Sequence, residues 1–170
     1  LKPPPGATFA GVMIGEHSSQ FLLASDSGYG FVATLEDLLT RNKSGKAVLT
    51  VRTGGVLPPQ RIFEYEDDWV AAITDTGRLL IFALAELPQL NRGKGVKLIN
   101  IPAARHKTGD EKLQSVAVFR EGDSLRLFAG KQHMRLKPKD IDTFVGSRAQ
   151  RGRALPRGYK RATAVETILA

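Results

Sequence analysis

The sequence predicts an all-β protein, built as a propeller-like array of four-stranded blades, and three observations predict this class. A unit of about 50 residues recurs at 21–51 and 69–101, and in a less regular form at 124–155. Repeats of this length are typical of blade or solenoid architectures. The apolar segments are short and bounded by turn residues, as β-strands are. No segment has the periodicity of a helix longer than about two turns.

The elements of the unit are a strand, a turn, a strand, a helical turn, a basic Gly-rich loop and a strand. Asp26-Ser27-Gly28 aligns with Asp75-Thr76-Gly77 at an offset of 49 residues. The third copy keeps a turn at Gly130-Lys131, and its offset drifts from about 53 to about 57 residues. We therefore expect a fragment of one domain, 1–170, in an incomplete or open ring of about three blades. The expected bounds are 8–57, 58–111 and 112–160 for the blades and 161–169 for a closing strand.

In the first copy, Asp-Ser-Gly is a turn signal between two apolar segments, which predicts a hairpin. The Pro-rich residues 1–6 predict a linker. The other predicted elements of this copy are a β-like segment at 8–14, strands at 20–25 and 29–35, a helical turn at 36–39, a polar loop at 41–46 and a strand at 47–51.

In the second copy, residues 61–66 alternate between apolar and polar side chains, as a half-buried strand does. Pro88 limits the helical turn that begins near Ala85. The predicted elements are strands at 61–66, 69–74 and 78–83, a basic loop at 91–97, a strand at 98–101 and an exposed polar segment at 102–111.

In the third copy, residues 162–169 alternate with a period of two, which predicts a last strand rather than an unstructured tail. Successive side chains of a strand point to opposite faces, so His133 and Arg135 share one face and Met134 and Leu136 the other. The predicted elements are strands at 113–119, 124–129 and 132–137, a helical turn at 139–144, a basic segment at 147–160 and a strand at 161–169.

Composition excludes several classes of protein. The chain has no cysteine, which excludes disulfides and thiolate catalysis and fits a reducing compartment. No apolar run has the length of a membrane span, and no signal-peptide pattern is present. Because the chain begins at Leu1 without Met, we expect it to be part of a longer protein.

The positive charge is concentrated in the last third of the chain. Residues 112–170 hold thirteen Lys or Arg against five Asp or Glu, a net charge of +8, whereas residues 1–57 and 58–111 have net charges of +1 and −1. This asymmetry indicates a polyanionic partner. The alternative is a solvated surface that keeps the protein soluble.

The basic Gly-rich loops are the strongest functional signal, because each copy has one at the same point. In a radial array equivalent positions lie on one rim, so the loops form a cationic belt. Gly allows close approach to a phosphate, and Lys and Arg neutralise it without reading bases. The alternative is that Gly and Lys are common loop residues. The candidate DNA-binding residues are Arg41, Asn42, Lys43, Lys46, Asn91, Arg92, Lys94, Lys97, Lys131, Arg135, Arg148, Arg151, Arg153, Arg157, Lys160 and Arg161.

No other motif indicates an active site, a metal or a cofactor. Residues 28–33 imitate a dinucleotide-binding fingerprint, but a strand rather than a helix follows, and residues 44–47 lack the rest of a phosphate-binding loop. His17, His106 and His133 are not at metal-ligand spacing. The acidic residues Glu64, Glu66, Asp67 and Asp68 are candidates for a divalent ion, although an acidic turn before a strand is the ordinary interpretation.

Two segments resemble a known family. LLASDSGYGFVATLEDLLTRNKSGKA at 22–47 and ITDTGRLLIFALAELPQLNRGKGVKLINIP at 73–102 resemble the C-terminal domain of ParC, the A subunit of bacterial topoisomerase IV and a relative of gyrase A. Gly93-Lys94-Gly95 resembles the end of the gyrase box, the loop with which that family wraps DNA. The full run Gln-Arg-Arg-Gly-Gly-Lys-Gly is absent, which favours topoisomerase IV over gyrase.

The resemblance implies a β-pinwheel, a ring of about five or six strand-exchanging blades, of which this chain supplies about three. It implies a non-catalytic domain that binds and bends duplex DNA, and it gives no catalytic role to Tyr29, Tyr65 or Tyr159. The implied partners are double-stranded DNA, the rest of ParC, the ATPase B subunit in a heterotetramer, and a condensin-like chromosome protein. The implied location is the cytoplasm, at the nucleoid or peripherally at the inner membrane.

Two alternatives remain open at this stage. The first is a propeller that docks a chromosome-organising protein through an exposed strand or the acidic turn at 64–68. The second is a small enzyme, which requires a pocket of convergent polar groups that the sequence does not indicate.

Overall fold

The three hairpins predicted from the repeats are present in the computed structural model, which describes residues 13–39, 46–51 and 54–170. Each hairpin joins two antiparallel strands of five or six residues. These strands are β1 (Gln20–Ala24) and β2 (Tyr29–Thr34), β4 (Trp69–Thr74) and β5 (Arg78–Ala83), and β8 (Ser124–Ala129) and β9 (Gln132–Leu136).

A short helical turn follows each hairpin, as predicted. In the third copy Pro138 occupies the first turn of the helix, where its missing N–H has no partner to lose. The turns are α1 (Leu35–Leu38), a 3₁₀ turn at Leu84–Glu86, and α3 (Pro138–Ile141), which continues into a 3₁₀ turn at Asp142–Phe144. One further helix, α2 (Ala103–Lys107), lies in the segment predicted to be exposed and polar.

Strands from later in the chain complete each sheet. These strands are β3 (Gln60–Arg61), β6 (Val96–Lys97), β7 (Leu113–Phe119), β10 (Arg153–Ala154) and β11 (Ala164–Ile168). In the described part of the chain the sheet orders are β3-β1-β2-β6, β10-β5-β4-β7 and β11-β8-β9. The all-β class is confirmed. The sheets do not coincide with contiguous stretches of chain, because each hairpin takes its outer strands from the segment that follows, and the predicted blade bounds stay a prediction.

The central sheet is apolar on both faces, which explains the continuous apolar run at the start of β4. Val70 and Ala72 face the first sheet, whereas Ala71 and Ile73 face the third. Alternate residues of a strand point to opposite faces, so a strand between two sheets has no polar face. The three sheets are therefore held together by two apolar interfaces, one on each side of the central sheet.

Three predicted strands differ from the observed structure. The strand predicted at 61–66 ends at Arg61, because the Asp68 carboxylate accepts hydrogen bonds from the N–H groups of Phe63 (2.6 Å) and Glu64 (3.0 Å) and turns the chain. At 47–51 there is one isolated bridge, from Leu49 to Gly93.

The third difference concerns the strand predicted at 98–101. The strand is at Val96–Lys97, and Leu98 and Ile99 leave the sheet to fill the core, where both are 0% exposed. Of the segment predicted at 8–14, residues 8–12 lie outside the described residues, and 13–14 are not in a strand. Among the described helices, none is both long and apolar enough to cross a bilayer.

Candidate nucleic-acid interface

The basic loop of the second copy crosses to the first sheet and runs along its outer edge. The Val32 N–H donates to the Pro88 carbonyl (3.0 Å), and the Leu90 N–H donates to the Val32 carbonyl (2.8 Å). The loop then forms β6, which pairs with the start of β2. We call residues 88–97 the first edge loop.

The basic loop of the third copy takes the equivalent position on the second sheet. The Gly146 N–H donates to the Ile81 carbonyl (2.8 Å), and β10 then pairs with the start of β5. We call residues 145–154 the second edge loop. The loops end alike, since the N–H of Leu98 donates to the Gly28 carbonyl (2.7 Å) and that of Leu155 to the Gly77 carbonyl (2.8 Å). The two edge loops therefore lie at repeat-equivalent places on neighbouring sheets.

The glycine before each of these two strands, β6 and β10, is required by packing against the neighbouring strand of the same sheet. Gly95 has a φ of +79°, and a Cβ there would lie 2.1 Å from the Gly30 carbonyl oxygen. Gly152 has a φ of +76°, and a Cβ there would lie 2.8 Å from the Leu79 carbonyl oxygen. Side chains avoid both this backbone conformation and this proximity. The sequence predicted that glycines of the basic loops let the backbone come close to a phosphate. At Gly95 and Gly152 the backbone instead comes close to a neighbouring β-strand.

The cations of the first edge loop are held in place without acidic partners among the described residues. The Lys94 ammonium lies over the Tyr29 ring, 3.8 Å from its centroid, in a cation–π contact. The Lys97 ammonium donates to the Asn100 side chain (3.0 Å). Asn91 and Arg92 are exposed. The positive charge of this loop is therefore available to an anion.

Two arginines of the second edge loop, Arg148 and Arg151, are more strongly anchored, whereas Arg153 is exposed. The Arg148 guanidinium donates to the Lys97 carbonyl (2.8 Å), and this bond joins the two edge loops. The backbone N–H of Arg148 donates to the Glu86 carboxylate (3.2 Å). Arg151 donates to the Asn100 carbonyl (3.2 Å) and to the buried carboxylate of Glu111 (2.6 Å). Arg151 thus has a structural partner, and its contact with DNA stays a prediction.

Glu111 is the centre of a buried network between the helix α2 and the second hairpin. Its side chain is fully buried, receives a hydrogen bond from Thr76 and lies 3.5 Å from the Arg105 guanidinium. Burial by itself would raise the pKa of Glu111, but the Thr76 and Arg151 hydrogen bonds and the Arg151 charge outweigh it and lower that pKa. Glu111 therefore stays ionised and fixes the position of the second edge loop.

Apart from Arg153, the other predicted residues lie outside the two edge loops, and two of them, Lys131 and Arg135, belong to the third hairpin. Lys46 donates to the Asp37 carbonyl, and Arg135 donates to the Ser124 hydroxyl (3.3 Å). Arg41, Asn42 and Lys43 lie outside the described residues. The remaining candidates have exposed side chains and comprise Lys131, Arg153, Arg157, Lys160 and Arg161.

Sequence reasoning missed three cations that lie beside the edge loops. Arg105 and Lys107 are on α2, in the segment predicted only to be polar, and Arg78 begins β5. The basic run Arg105-His106-Lys107 was the signal in the sequence for the two cations of α2, but it lies outside the repeated basic loops. His106, predicted to be a loop residue, is half-buried on α2, with its Nε2 2.8 Å from the Asp26 carboxylate.

Comparison with known proteins identifies the family of this fold. Residues 19–57 and 68–120 match the family model of the DNA gyrase C-terminal domain, described as a beta-propeller. The chain belongs to the DNA gyrase C-terminal domain family. The resemblance inferred from the sequence and the β-pinwheel fold are thereby confirmed.

Relatives in this family are similar over nearly the whole chain. The A subunit of DNA topoisomerase 4 from Pseudomonas aeruginosa is 46% identical over 95% of the chain, and that from Escherichia coli K12 is 39% identical over 98%. The chain spans 22% of the length of each. The structure of the E. coli ParC C-terminal domain matches all of the chain with a TM-score of 0.90 and 38% identity, and the chain covers 69% of it.

A more distant structure supports the fold alone. The DNA gyrase A C-terminal domain matches 91% of the chain with a TM-score of 0.68 and 16% identity, and the chain covers 50% of that structure. The family fold is thus retained at low sequence identity, as expected for a fold that is specified mainly by its apolar pattern.

The acidic candidates Glu64, Glu66, Asp67 and Asp68 lie together in and beside one turn, whose backbone N–H groups donate to the Asp68 carboxylate. Burial raises the pKa of Asp68, and hydrogen bonds from the backbone of Phe63 and Glu64 partly oppose this effect. Within the described ranges, no group of three or more His, Cys, Asp or Glu is placed to hold a metal ion. The turn at 64–68 surrounds one buried carboxylate, that of Asp68.

Proposed function

We propose that this chain is a non-catalytic domain of ParC, the A subunit of topoisomerase IV, that binds and bends duplex DNA. The domain presents the bent segment to the cleavage core of the enzyme during ATP-dependent supercoil relaxation and decatenation. The observation that carries this proposal is the pair of edge loops at equivalent places on neighbouring sheets. The similarity to the DNA topoisomerase 4 protein of P. aeruginosa supports it.

The mechanism is electrostatic. Lys94 and Lys97 have no acidic partner among the described residues, so their charges can neutralise phosphates. Contacts to phosphates fix the path of a duplex without reading its sequence. A duplex that engages both edge loops in turn follows the outer edges of two adjoining sheets and bends around them.

The proposed partners are double-stranded DNA, the rest of ParC, the ATPase B subunit in a heterotetramer, and a condensin-like chromosome protein. The reacting groups lie elsewhere in that assembly, so the domain itself uses no cofactor. The proposed location is the cytoplasm at the nucleoid, with peripheral attachment at the inner membrane.

A mobility-shift titration with a random linear duplex across a salt series tests DNA binding. If about six phosphates are engaged, the slope of log K against log salt is about −5, and affinity falls about a thousandfold between about 50 and about 200 mM salt. A nearly flat salt dependence would contradict the proposal.

Lys94→Ala tests the role of the first edge loop. It should weaken binding to unrelated sequences equally and reduce the magnitude of the salt slope by about one. Lys139→Ala is the matched control, because Lys139 is exposed on α3 and belongs to neither edge loop. Loss of affinity for particular sequences only would indicate base readout instead.

Docking of a protein partner is the second candidate function. It is favoured by an exposed aromatic group, Phe63, which is 41% exposed and stacks against the Arg120 guanidinium beside the acidic turn at 64–68. Exposed aromatic and arginine side chains are enriched in interfaces. A native gel with random duplex DNA separates the two functions, since a protein-docking domain leaves the duplex unshifted.

A further inference from the structure

Two hollows beside the helix α2 are lined by cations and, among the described residues, by no carboxylate. The first has a volume of about 240 Å³ and the second about 440 Å³. The polar residues that line the first hollow are Ser27, Tyr29, Thr50, Lys94, Lys97, His106 and Lys107. Those that line the second are Thr76, Arg78, Arg105, Arg151 and Lys160.

The repeat builds both hollows from equivalent parts. Ser27 and Thr76 are the central residues of the two aligned hairpin turns, and Lys94 and Arg151 each precede the close-packed glycine of an edge loop. A hydroxyl and a cation therefore meet at the same place on each sheet. Hydroxyl groups, Lys and Arg are common partners of DNA phosphates.

The helix α2 contributes a different face to each hollow. The first hollow is lined by Ala103 and by the residues three and four positions after it, His106 and Lys107. Arg105, three residues after Pro102, lines the second. Residues three and four apart share a face of a helix, so α2 presents cations toward both hollows. Neither Arg105 nor Lys107 lies in an edge loop.

Two of the nearby carboxylates are already paired with cationic or imidazole groups, and two others, Asp110 and Asp75, accept hydrogen bonds from Thr108 and Lys112 and line neither hollow. Asp26 lies 2.8 Å from the His106 ring, and the fully buried Glu111 pairs with Arg151 and Arg105. Lys107 and Lys160 have exposed side chains and no acidic partner in the part of the chain that the structure describes. Both hollows consequently keep an excess of positive charge that faces solvent.

We propose that α2 and its two hollows extend the phosphate-binding surface of the edge loops, with Lys107 and Lys160 as additional contacts to the DNA backbone. This inference rests on the proposed function and extends it from the edge loops to the side of the sheets where the hairpin turns lie. One backbone phosphate enters each hollow, where the surrounding cations bind it; the Thr76 hydroxyl takes no part, because it donates to Glu111.

The test compares Lys107→Ala and Lys160→Ala with Lys139→Ala, which removes the same charge from α3. Each of the first two variants should lower the magnitude of the salt slope by about 0.9, which corresponds to about eightfold weaker binding in about 0.1 M salt. Lys107→Arg should bind like the wild type. Thermal melting of each variant controls for folding, and the exposed positions make a loss of fold unexpected.

The outcomes distinguish this inference from the proposed function. If the wild type binds DNA with a steep salt dependence and Lys94→Ala weakens it, but Lys107→Ala and Lys160→Ala behave like Lys139→Ala, the inference is overturned and the proposed function stands. If the wild type does not bind DNA, both are overturned. A reduced slope in both α2-side variants, with the control unchanged, supports the inference.

Discussion

Replacing Gly95 by Ala should displace β6 from the first sheet. The new Cβ would lie 2.1 Å from the Gly30 carbonyl oxygen, and real Cβ atoms essentially never come within 3.0 Å of such an atom. The strand must therefore retreat by about 1 Å, which breaks hydrogen bonds that need a donor–acceptor distance near 3 Å. The contacts at risk are the pairing of Val96 and Lys97 with β2 and the bond from Leu98 to Gly28.

The expected loss of stability follows from these contacts. Two or three backbone hydrogen bonds contribute about 1 kcal/mol each. The left-handed backbone at Gly95 adds about 1 kcal/mol of strain for Ala. Gly95→Ala should thus destabilise the fold by about 3–4 kcal/mol, a large share of the stability of a domain of this size.

Gly109→Ala is the matched control. Gly109 has the same φ of +79°, but a Cβ there would meet nothing within 4 Å, so its replacement should cost only the strain of about 1 kcal/mol. Gly152→Ala should fall between the two, because its Cβ would lie 2.8 Å from a carbonyl oxygen.

Urea unfolding, followed by the fluorescence of the single tryptophan, Trp69, and by circular dichroism, measures all three variants. Equal losses for Gly95→Ala and Gly109→Ala would refute the argument from close packing.

Three other side chains give expected outcomes. The pKa of Glu111 in the fold lies below its usual value near 4.5, so its carboxylate stabilises the fold above that pH, and this stability is lost as the pH falls through the lowered pKa. Glu111→Gln should therefore cost about 2 kcal/mol at about pH 7 and less at about pH 3, measured by urea unfolding. Asp68→Ala should cost about 2 kcal/mol by the same assay, since two backbone N–H groups lose their acceptor, and Asp68→Asn should cost less. Tyr29→Leu removes the ring beneath Lys94 and should weaken DNA binding about two- to fivefold in a mobility-shift titration, whereas Tyr29→Phe keeps the ring and the affinity.

Local pattern was sufficient to predict the hairpins. The turn residues Asp26-Ser27-Gly28 and Asp75-Thr76-Gly77 and the apolar runs beside them predicted β1, β2, β4 and β5 to within a residue. These elements form between neighbours in sequence, so the information that specifies them is local.

The prediction of a strand at 61–66 was wrong, because a contact outside the local pattern decides the structure there. The segment does alternate between apolar and polar residues. However, the Asp68 carboxylate accepts hydrogen bonds from the Phe63 and Glu64 N–H groups, which a strand would need for pairing.

The candidate site was predicted only in part. The repeat correctly predicted that the basic loops of the second and third copies are equivalent, and β6 and β10 confirm that equivalence. Residues 41–45 of the first loop lie outside the described residues. Charge alone did not separate Lys94, which stacks on Tyr29, from Arg151, which pairs with the buried Glu111. That difference depends on which side chain from a distant part of the sequence meets each cation, and no local pattern contains it.

By itself, the sequence determined the class of the fold, the number and place of the hairpins and the recurrence of a basic loop after each one. The tertiary structure decided which sheet each loop completes, which cations are anchored and which face solvent, and that α2 adds Arg105 and Lys107 beside them. The physical reason is the distance along the chain over which each interaction acts. Turns and strand periodicity arise from neighbours in sequence, whereas the Arg151–Glu111 ion pair and the pairing of β6 with β2 join residues about 40 to about 70 positions apart.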